Sequence, residues 1–284
     1  MTAPAAYAGP RVGILGLGII GRIWAGHYAA AGALAGSWNR TPRPDAPGWR
    51  DTPEAVAAEA EVIQIVVADP AAVRAILERI RPFLGPARTV VQSSTIDPAS
   101  ADEFRAATLA TGASYLEAPF TGSKPAAEQR QTVFYLGGDA ALAAALDPLL
   151  ALVSATRLLI GDHRQAAALK LAMNLNLAVQ LQGLLEARAL AAAAGIGDEI
   201  FYGALARNVG YSGLVKLKEP KLRAGDFSPQ FSVKHLHKDL RLASAAAGCA
   251  ELPALDVVRE QLKTAEARGH GDEDFIALAK VLGA

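Results

Sequence analysis

A lysine and an asparagine four residues apart, Lys170 and Asn174, stand in the run Ala168-Leu169-Lys170-Leu171-Ala172-Met173-Asn174 among almost wholly apolar neighbours. At that spacing they share one face of a helix. A lysine so placed either snorkels to the surface or faces a cleft. In a cleft, an ammonium beside a carbonyl oxygen can give it a proton and stabilise the alkoxide that develops as a hydride reaches the carbon. An asparagine on the same face can orient the lysine or the substrate. Near the N-terminus, Gly16-Leu17-Gly18-Ile19-Ile20-Gly21 follows the apolar run Val12–Leu15 and opens a helical pattern. The first glycine permits a tight turn, the second lets the backbone approach a pyrophosphate, and the third lets helix and strand pack closely. The N–H groups of the helix start then face the phosphates. A ligand-free glycine turn is the bland alternative, and the order strand, glycines, helix argues against it.

About 20 residues past such a turn, NAD enzymes place an acid on the ribose hydroxyls. Here the second apolar run ends in Ser37-Trp38-Asn39-Arg40-Thr41, without a carboxylate. Arg40 can grip a 2′-phosphate with charge and planar donors, and Asn39 and Thr41 can add hydrogen bonds. NADP(H) is therefore the expected cofactor. Val67 and Ala68 in Val66-Val67-Ala68-Asp69-Pro70, and Thr95 in Ser93-Ser94-Thr95, fall at strand ends that border the ligand crevice of a doubly wound sheet. Asp69 reads better as a helix N-cap. Thr121, Gly122 and Ser123 combine two hydroxyls with several backbone N–H groups in a short turn suited to a carboxylate. Further on, Phe231-Ser232-Val233-Lys234-His235-Leu236-His237-Lys238-Asp239-Leu240 carries a Lys238–Asp239 pair. It is either an exposed ion pair of little energetic weight or a pair that reaches a cleft. His235 and His237 are two apart and do not share a helix face, so no metal set is expected.

The elements that must position these groups fall in two parts. Strand candidates at Arg11–Leu15, Leu34–Trp38, Val62–Val67, Thr89–Gln92, Ser114–Glu117, Thr132–Leu136 and Arg157–Ile160 alternate with helical segments such as Pro70–Ile80 and Ala140–Leu150. That pattern predicts an α/β fold with a mostly parallel sheet covered on both faces. From Gln165 to Ala194 runs one long helix ended by Gly195, followed by further helices with turns at Gly210–Gly213, Gly225–Pro229 and Gly248–Pro253. The expected domains are 1–162, a Rossmann doubly wound sheet, and 163–284, an all-α domain for substrate binding and dimerisation.

The composition is consistent with this reading. Of 284 residues, 51% are hydrophobic, and 28 basic residues balance 28 acidic ones. A basic nucleic-acid footprint is absent. The opening MTAPAAYAGP has no basic residue and no apolar run, so no signal peptide is expected. Charges interrupt the apolar stretch near 165–195, so no membrane span is expected either. The lone Cys249 cannot form an internal disulfide and fits a reducing compartment, hence a cytoplasmic protein.

Taken together, these pieces resemble the β-hydroxyacid dehydrogenase family from Arg11 to about Leu282. Four motifs stand in the family's order: the glycines at 16–21, Ala118-Pro119-Phe120-Thr121-Gly122-Ser123, the Lys170…Asn174 helix, and Lys238-Asp239-Leu240. The resemblance implies Lys170 as the catalytic lysine with Asn174 as its partner. It implies Thr121, Gly122 and Ser123 on the substrate carboxylate, with Phe231 and Asp239 beside the substrate. It also implies Thr95 and Lys238 on the cofactor, with Gly16, Leu17, Gly18, Ile19, Ile20, Asn39, Arg40, Thr41, Val67 and Ala68. Two stretches, Thr121-Gly122-Ser123-Lys124-Pro125-Ala126 and Phe231 to Ala243, look most like the glyoxylate/succinic semialdehyde reductase branch. Ile20 stands where the family has Met, Phe120 and Thr121 where it has Val and Ser, and Met173 where many relatives have a second Asn. The implied substrate is a small carboxylate-bearing aldehyde or hydroxy acid, and the implied assembly is a homodimer or homotetramer. Three alternatives are weighed: NAD(P)-dependent oxidation of a 3-hydroxy acid such as 3-hydroxyisobutyrate, an imine reductase-like enzyme, and a dinucleotide-binding module without activity. The last two resemble relatives that lack this lysine.

Overall fold

A computed structural model describes residues 7–248 and 250–282. Cys249 and the first six residues, on which two expectations above rest, lie outside the described residues. The chain divides into two compact units between Lys170 and Leu171.

The first unit is an eight-stranded sheet. Strands β1 (Val12–Leu15), β2 (Leu34–Trp38), β3 (Val62–Ile65), β4 (Thr89–Gln92) and β5 (Ser114–Glu117) run parallel in the order β2-β1-β3-β4-β5. Strand β7 (Thr132–Gly137) is antiparallel to β5 and to the two-residue β6 (Phe120–Thr121), and parallel to β8 (Ser154–Gly161). The middle residues of the parallel strands are buried because both faces of the sheet are covered. Alternate residues serve opposite faces. Val12, Ile14, Val91 and Leu116 pack with Trp24 and Tyr28 of α1 (Ile19–Ala30) and with Leu146, Leu149 and Leu150 of α6 (Ala140–Leu150). Leu15, Ile63, Ile65 and Val90 pack with α2 (Pro53–Glu59), α3 (Pro70–Ile80) and α4 (Pro98–Leu109) through Val56, Val73, Ile76, Ile80 and Phe104. The short α5 (Lys124–Glu128) follows β6.

Helix α7 (His163–Ala193) begins two residues before the expected start, at a reciprocal cap. Gln165 N–H donates to Asp162 Oδ1 at 2.8 Å, and Asp162 N–H donates to Gln165 Oε1 at 2.9 Å. Gly195 ends it with φ of +78°, as a glycine past a helix end should.

In the second unit, α8 (Asp198–Leu205), α9 (Gly213–Ala224), α10 (Val233–Ala246), α11 (Pro253–Ala267) and α12 (Leu278–Val281) surround one core with the C-terminal part of α7. The apolar residues recur at helical spacing, Leu181-Leu184-Leu185 on α7, Val233-Leu236-Leu240 on α10 and Val258-Leu262-Ala265 on α11. No described helix is long and apolar enough to cross a membrane.

Candidate functional site

The glycine turn between β1 and α1 has the geometry its sequence implies. Gly16 adopts φ of +115°, and a Cβ there would lie 2.2 Å from the Val66 carbonyl oxygen. A Cβ on Gly21 would meet the Gly16 carbonyl oxygen at 2.0 Å, so only glycine lets helix and turn approach this closely. Gly18 differs, because a Cβ would meet nothing within 4 Å. Its side faces open space. Thr52, Asp69, Asp97 and Asp139 cap α2, α3, α4 and α6 with side-chain oxygens, whereas α1, with Gly18 at its N-cap, has no side-chain cap, and neither has the short α5. Uncapped N–H groups at the positive end of a helix suit a pyrophosphate, so the turn fits a dinucleotide.

Asn39 serves the turn itself. Its Oδ1 accepts the Leu17 N–H at 2.9 Å, and its Nδ2 donates to the Thr41 carbonyl at 2.9 Å. The amide thus ties the glycine turn to the end of β2 and fixes the path on which Arg40 and Thr41 stand exposed. Ile19 is exposed and Ile20 partly so.

At the ends of β3 and β4, Ala68 is exposed and Val67 and Thr95 are half-buried. Asp69 caps α3, as its position suggested. Beneath these loops runs a polar network that the motifs did not reveal. Glu117, fully buried at 0% exposure, accepts from Tyr115 Oη at 2.5 Å and from Gln92 Nε2 at 2.9 Å. Burial pushes its carboxyl up to about 8, against the lowering effect of both donors. The folded chain therefore keeps this proton towards pH 8, whereas the unfolded chain releases it near 4.5. Stability contributed by the neutral acid is fully present below about 4.5 and is lost as the pH rises through about 8. Glu117→Gln should remove this dependence. Urea unfolding should show the variant gaining on the wild type between pH 5 and pH 9, and a constant difference would contradict the assignment.

The turn of Thr121, Gly122 and Ser123 joins β6 to α5. Gly122 has φ of +124°, which favours glycine, and all three residues are partly exposed. Phe120 sits edge-on to Trp24 at 4.7 Å between ring centroids, and Trp24 packs on Phe134. This aromatic cluster, also unforeseen, places a ring next to the lysine. Lys170 is buried at 8% exposure, and its Nζ lies 6.0 Å from the Phe120 ring centroid. The lysine side chain is thus largely withdrawn from water.

In the helical unit, Asn174 Nδ2 donates to Asp239 Oδ2 at 2.6 Å, with both side chains buried. Lys238 Nζ lies 2.6 Å from Asp239 Oδ1. The Lys238–Asp239 pair is thus largely withdrawn from water, not an exposed one. Phe231 packs edge-on to Phe275 at 5.8 Å. His235 and His237 go to separate partners, Ser232 Oγ at 2.7 Å and Glu266 Oε2 at 3.0 Å. Among the described residues no group of three or more His, Cys, Asp or Glu is arranged to hold a metal ion.

Comparison with known proteins adds an independent line. Residues 11–161 match the family described as the NAD binding domain of 6-phosphogluconate dehydrogenase. Residues 165–282 match the family described as the NAD-binding domain of NADP-dependent 3-hydroxyisobutyrate dehydrogenase. The chain is 28% identical to glyoxylate/succinic semialdehyde reductase 2 of Arabidopsis thaliana, over 96% of this chain and 79% of that protein. It superimposes on 3-hydroxyisobutyrate dehydrogenase of Mycobacterium tuberculosis, solved with L-serine, with a TM-score of 0.87 and 25% identity over 97% of this chain and 100% of the other. For 3-hydroxyisobutyrate dehydrogenase of Salmonella typhimurium the TM-score is 0.86 at 28% identity, over 95% and 99%.

Proposed function

We propose that this chain, which belongs to the β-hydroxyacid dehydrogenase family of NAD(P)-dependent oxidoreductases, reduces small carboxylate-bearing aldehydes or keto acids, of the glyoxylate and succinic semialdehyde type, with NADPH. The observation that carries this reading is the buried Lys170 ammonium beside the Phe120 ring, in the same unit as the uncapped glycine turn. A nicotinamide dinucleotide, when bound, supplies the hydride.

The chain's own groups then have separable tasks. The N–H groups that open α1 hold the pyrophosphate, and Arg40 holds the 2′-phosphate. The 121–123 turn orients the substrate carboxylate with hydroxyls and backbone donors. Lys170 Nζ gives a proton to the carbonyl oxygen as the carbon receives hydride, so an alcohol forms and no free alkoxide is released into water. Asn174, one turn along the same helix, acts as its catalytic partner. In the reverse direction the same lysine, deprotonated, takes the proton of a hydroxy acid, which connects this reading to the dehydrogenase names of the solved neighbours.

Cofactor choice tests the role of Arg40. Losing a charge-assisted contact to phosphate costs about 1.5–3 kcal/mol, so Arg40→Ala should weaken NADPH binding about 10- to 100-fold and leave NADH binding nearly unchanged. Fluorescence titration of both cofactors measures this. A clear NADH preference in the wild type would contradict it. The substrate class is tested by NADPH consumption with glyoxylate, succinic semialdehyde, tartronate semialdehyde and methylmalonate semialdehyde.

A further inference from the structure

We propose that Glu117 is a positioning residue for the cofactor-binding loops, acting through the Gln92 side chain on the backbone of Ser94. The inference rests on the reading that the loops after β3 and β4 border the dinucleotide.

The geometry is a short chain of hydrogen bonds from Glu117 through Gln92 and Ser94 to Val67. Gln92 and Glu117 end neighbouring parallel strands and stand in register. Gln92 holds Ser94 at two points: its Oε1 accepts the Ser94 N–H at 2.6 Å, and its Nε2 donates to the Ser94 carbonyl at 2.9 Å. The same Nε2 donates to Glu117 Oε1 at 2.9 Å. Ser94 in turn reaches the neighbouring loop, where its Oγ accepts the Val67 N–H at 2.8 Å. Thr95 follows Ser94 directly, and Ala68 follows Val67. One carboxyl at the carboxyl end of β5 is thus connected to the backbone of both loops.

Glu117 adds a third contact, which favours the same orientation of the Gln92 amide as the two contacts to Ser94. Turned over, Gln92 would present an oxygen to the Ser94 carbonyl and an NH2 to the Ser94 N–H, and both contacts would be lost. The Glu117 oxygen reinforces the orientation that the Ser94 groups demand. Tyr115 Oη fixes the carboxyl from the far side at 2.5 Å. All four groups are buried, so water does not substitute for a missing partner and a lost contact leaves an unsatisfied polar atom.

Glutamine at 117 retains an acceptor for Gln92 and a polar group for Tyr115, whereas leucine fills the space and offers neither. The full chain carrying Glu117→Leu should bind NADPH about tenfold more weakly at pH 7 by fluorescence titration, while Glu117→Gln stays within about threefold of the wild type. Hydrogen exchange at the Ser94 and Val67 amides should quicken in Glu117→Leu alone. If Glu117→Leu does not fold, Glu117→Asp takes its place. Its shorter side chain no longer reaches Gln92, and the same loss of affinity is expected. A folded leucine or aspartate variant with wild-type affinity would overturn the inference while leaving the cofactor reading intact. An equal loss in the glutamine variant would overturn it too, since rescue by an acceptor is its distinguishing mark. Failure of the wild type to bind any dinucleotide would instead remove the cofactor reading, and the inference with it.

Discussion

Lys170→Ala is expected to lower kcat by about 10²–10⁴-fold, the span typical of losing a positioned general acid, while the dissociation constant for NADPH changes little. The two effects separate because the lysine and the dinucleotide turn are different parts of one unit. The turn is built by Gly16, Gly18, Gly21 and the Asn39 amide. The lysine is buried against Phe120. A truncated side chain would remove the proton and the positive charge together. The fall should appear in kcat and kcat/KM alike, because the interaction matters where the oxyanion develops. Pre-steady-state measurement of NADPH oxidation checks that the chemical step has slowed. Near-normal turnover by the variant would exclude the lysine from the chemistry.

The largest loss of stability should come from a residue with no part in the reaction. Lys218 on α9 is 1% exposed and Asp274 is 0% exposed, and the lysine donates to both carboxylate oxygens at 2.9 Å. Asp274 Oδ2 also accepts the N–H groups of Gln230 and Phe231, at 2.9 and 3.3 Å, and Oδ1 accepts that of Ile276 at 3.3 Å. One carboxylate thus ties α9, the segment leading into α10 and the C-terminal turn. Burial pulls the Lys218 ammonium below its usual range even though Asp274 pushes it up, so the ion is sensitive to loss of its partner. Asp274→Ala should cost about 3–5 kcal/mol, the range for stranding one member of a buried pair. Lys218→Met should cost less, because an apolar chain of similar length fills the site and Asp274 keeps its backbone donors. Urea denaturation of the three proteins checks the order. A cost below about 1 kcal/mol for Asp274→Ala, typical of exposed pairs, would contradict the account.

What the sequence made visible follows from how local each signal is. Strands β2, β4 and β5 have the expected bounds. Strand β3 stops at Ile65, two residues early, because the Val67 N–H turns to the Ser94 hydroxyl and leaves the ladder. Strand β8 starts at Ser154, three residues before the expected Arg157. Much of it is exposed, which blurs its apolar pattern. The two residues of β6 carried no periodicity at all and are held by pairing with β7.

The same distinction governs the candidate site. The glycine turn, the Asn39-Arg40-Thr41 run and the Lys170 helix are short motifs whose residue types declare their chemistry. The buried contacts of Glu117 and Lys218 are not. Glu117 meets Gln92 across 25 residues and Lys218 meets Asp274 across 56, and a lone polar residue in an apolar run does not name its partner. The available hint was negative. Gln92 and Glu117 are polar residues at the ends of strands otherwise suited to full burial, where a polar group must find another.

The most direct test of the proposed reaction follows the hydrogen itself. NADPH carrying two deuterium atoms at the nicotinamide C4 is supplied with glyoxylate, and the product is weighed by mass spectrometry. The account predicts glycolate with a single deuterium on the former carbonyl carbon, formed in step with NADPH consumption and almost absent with Lys170→Ala. Unlabelled product, or no consumption of NADPH with any aldehyde of the panel by a protein that binds the dinucleotide, would contradict it.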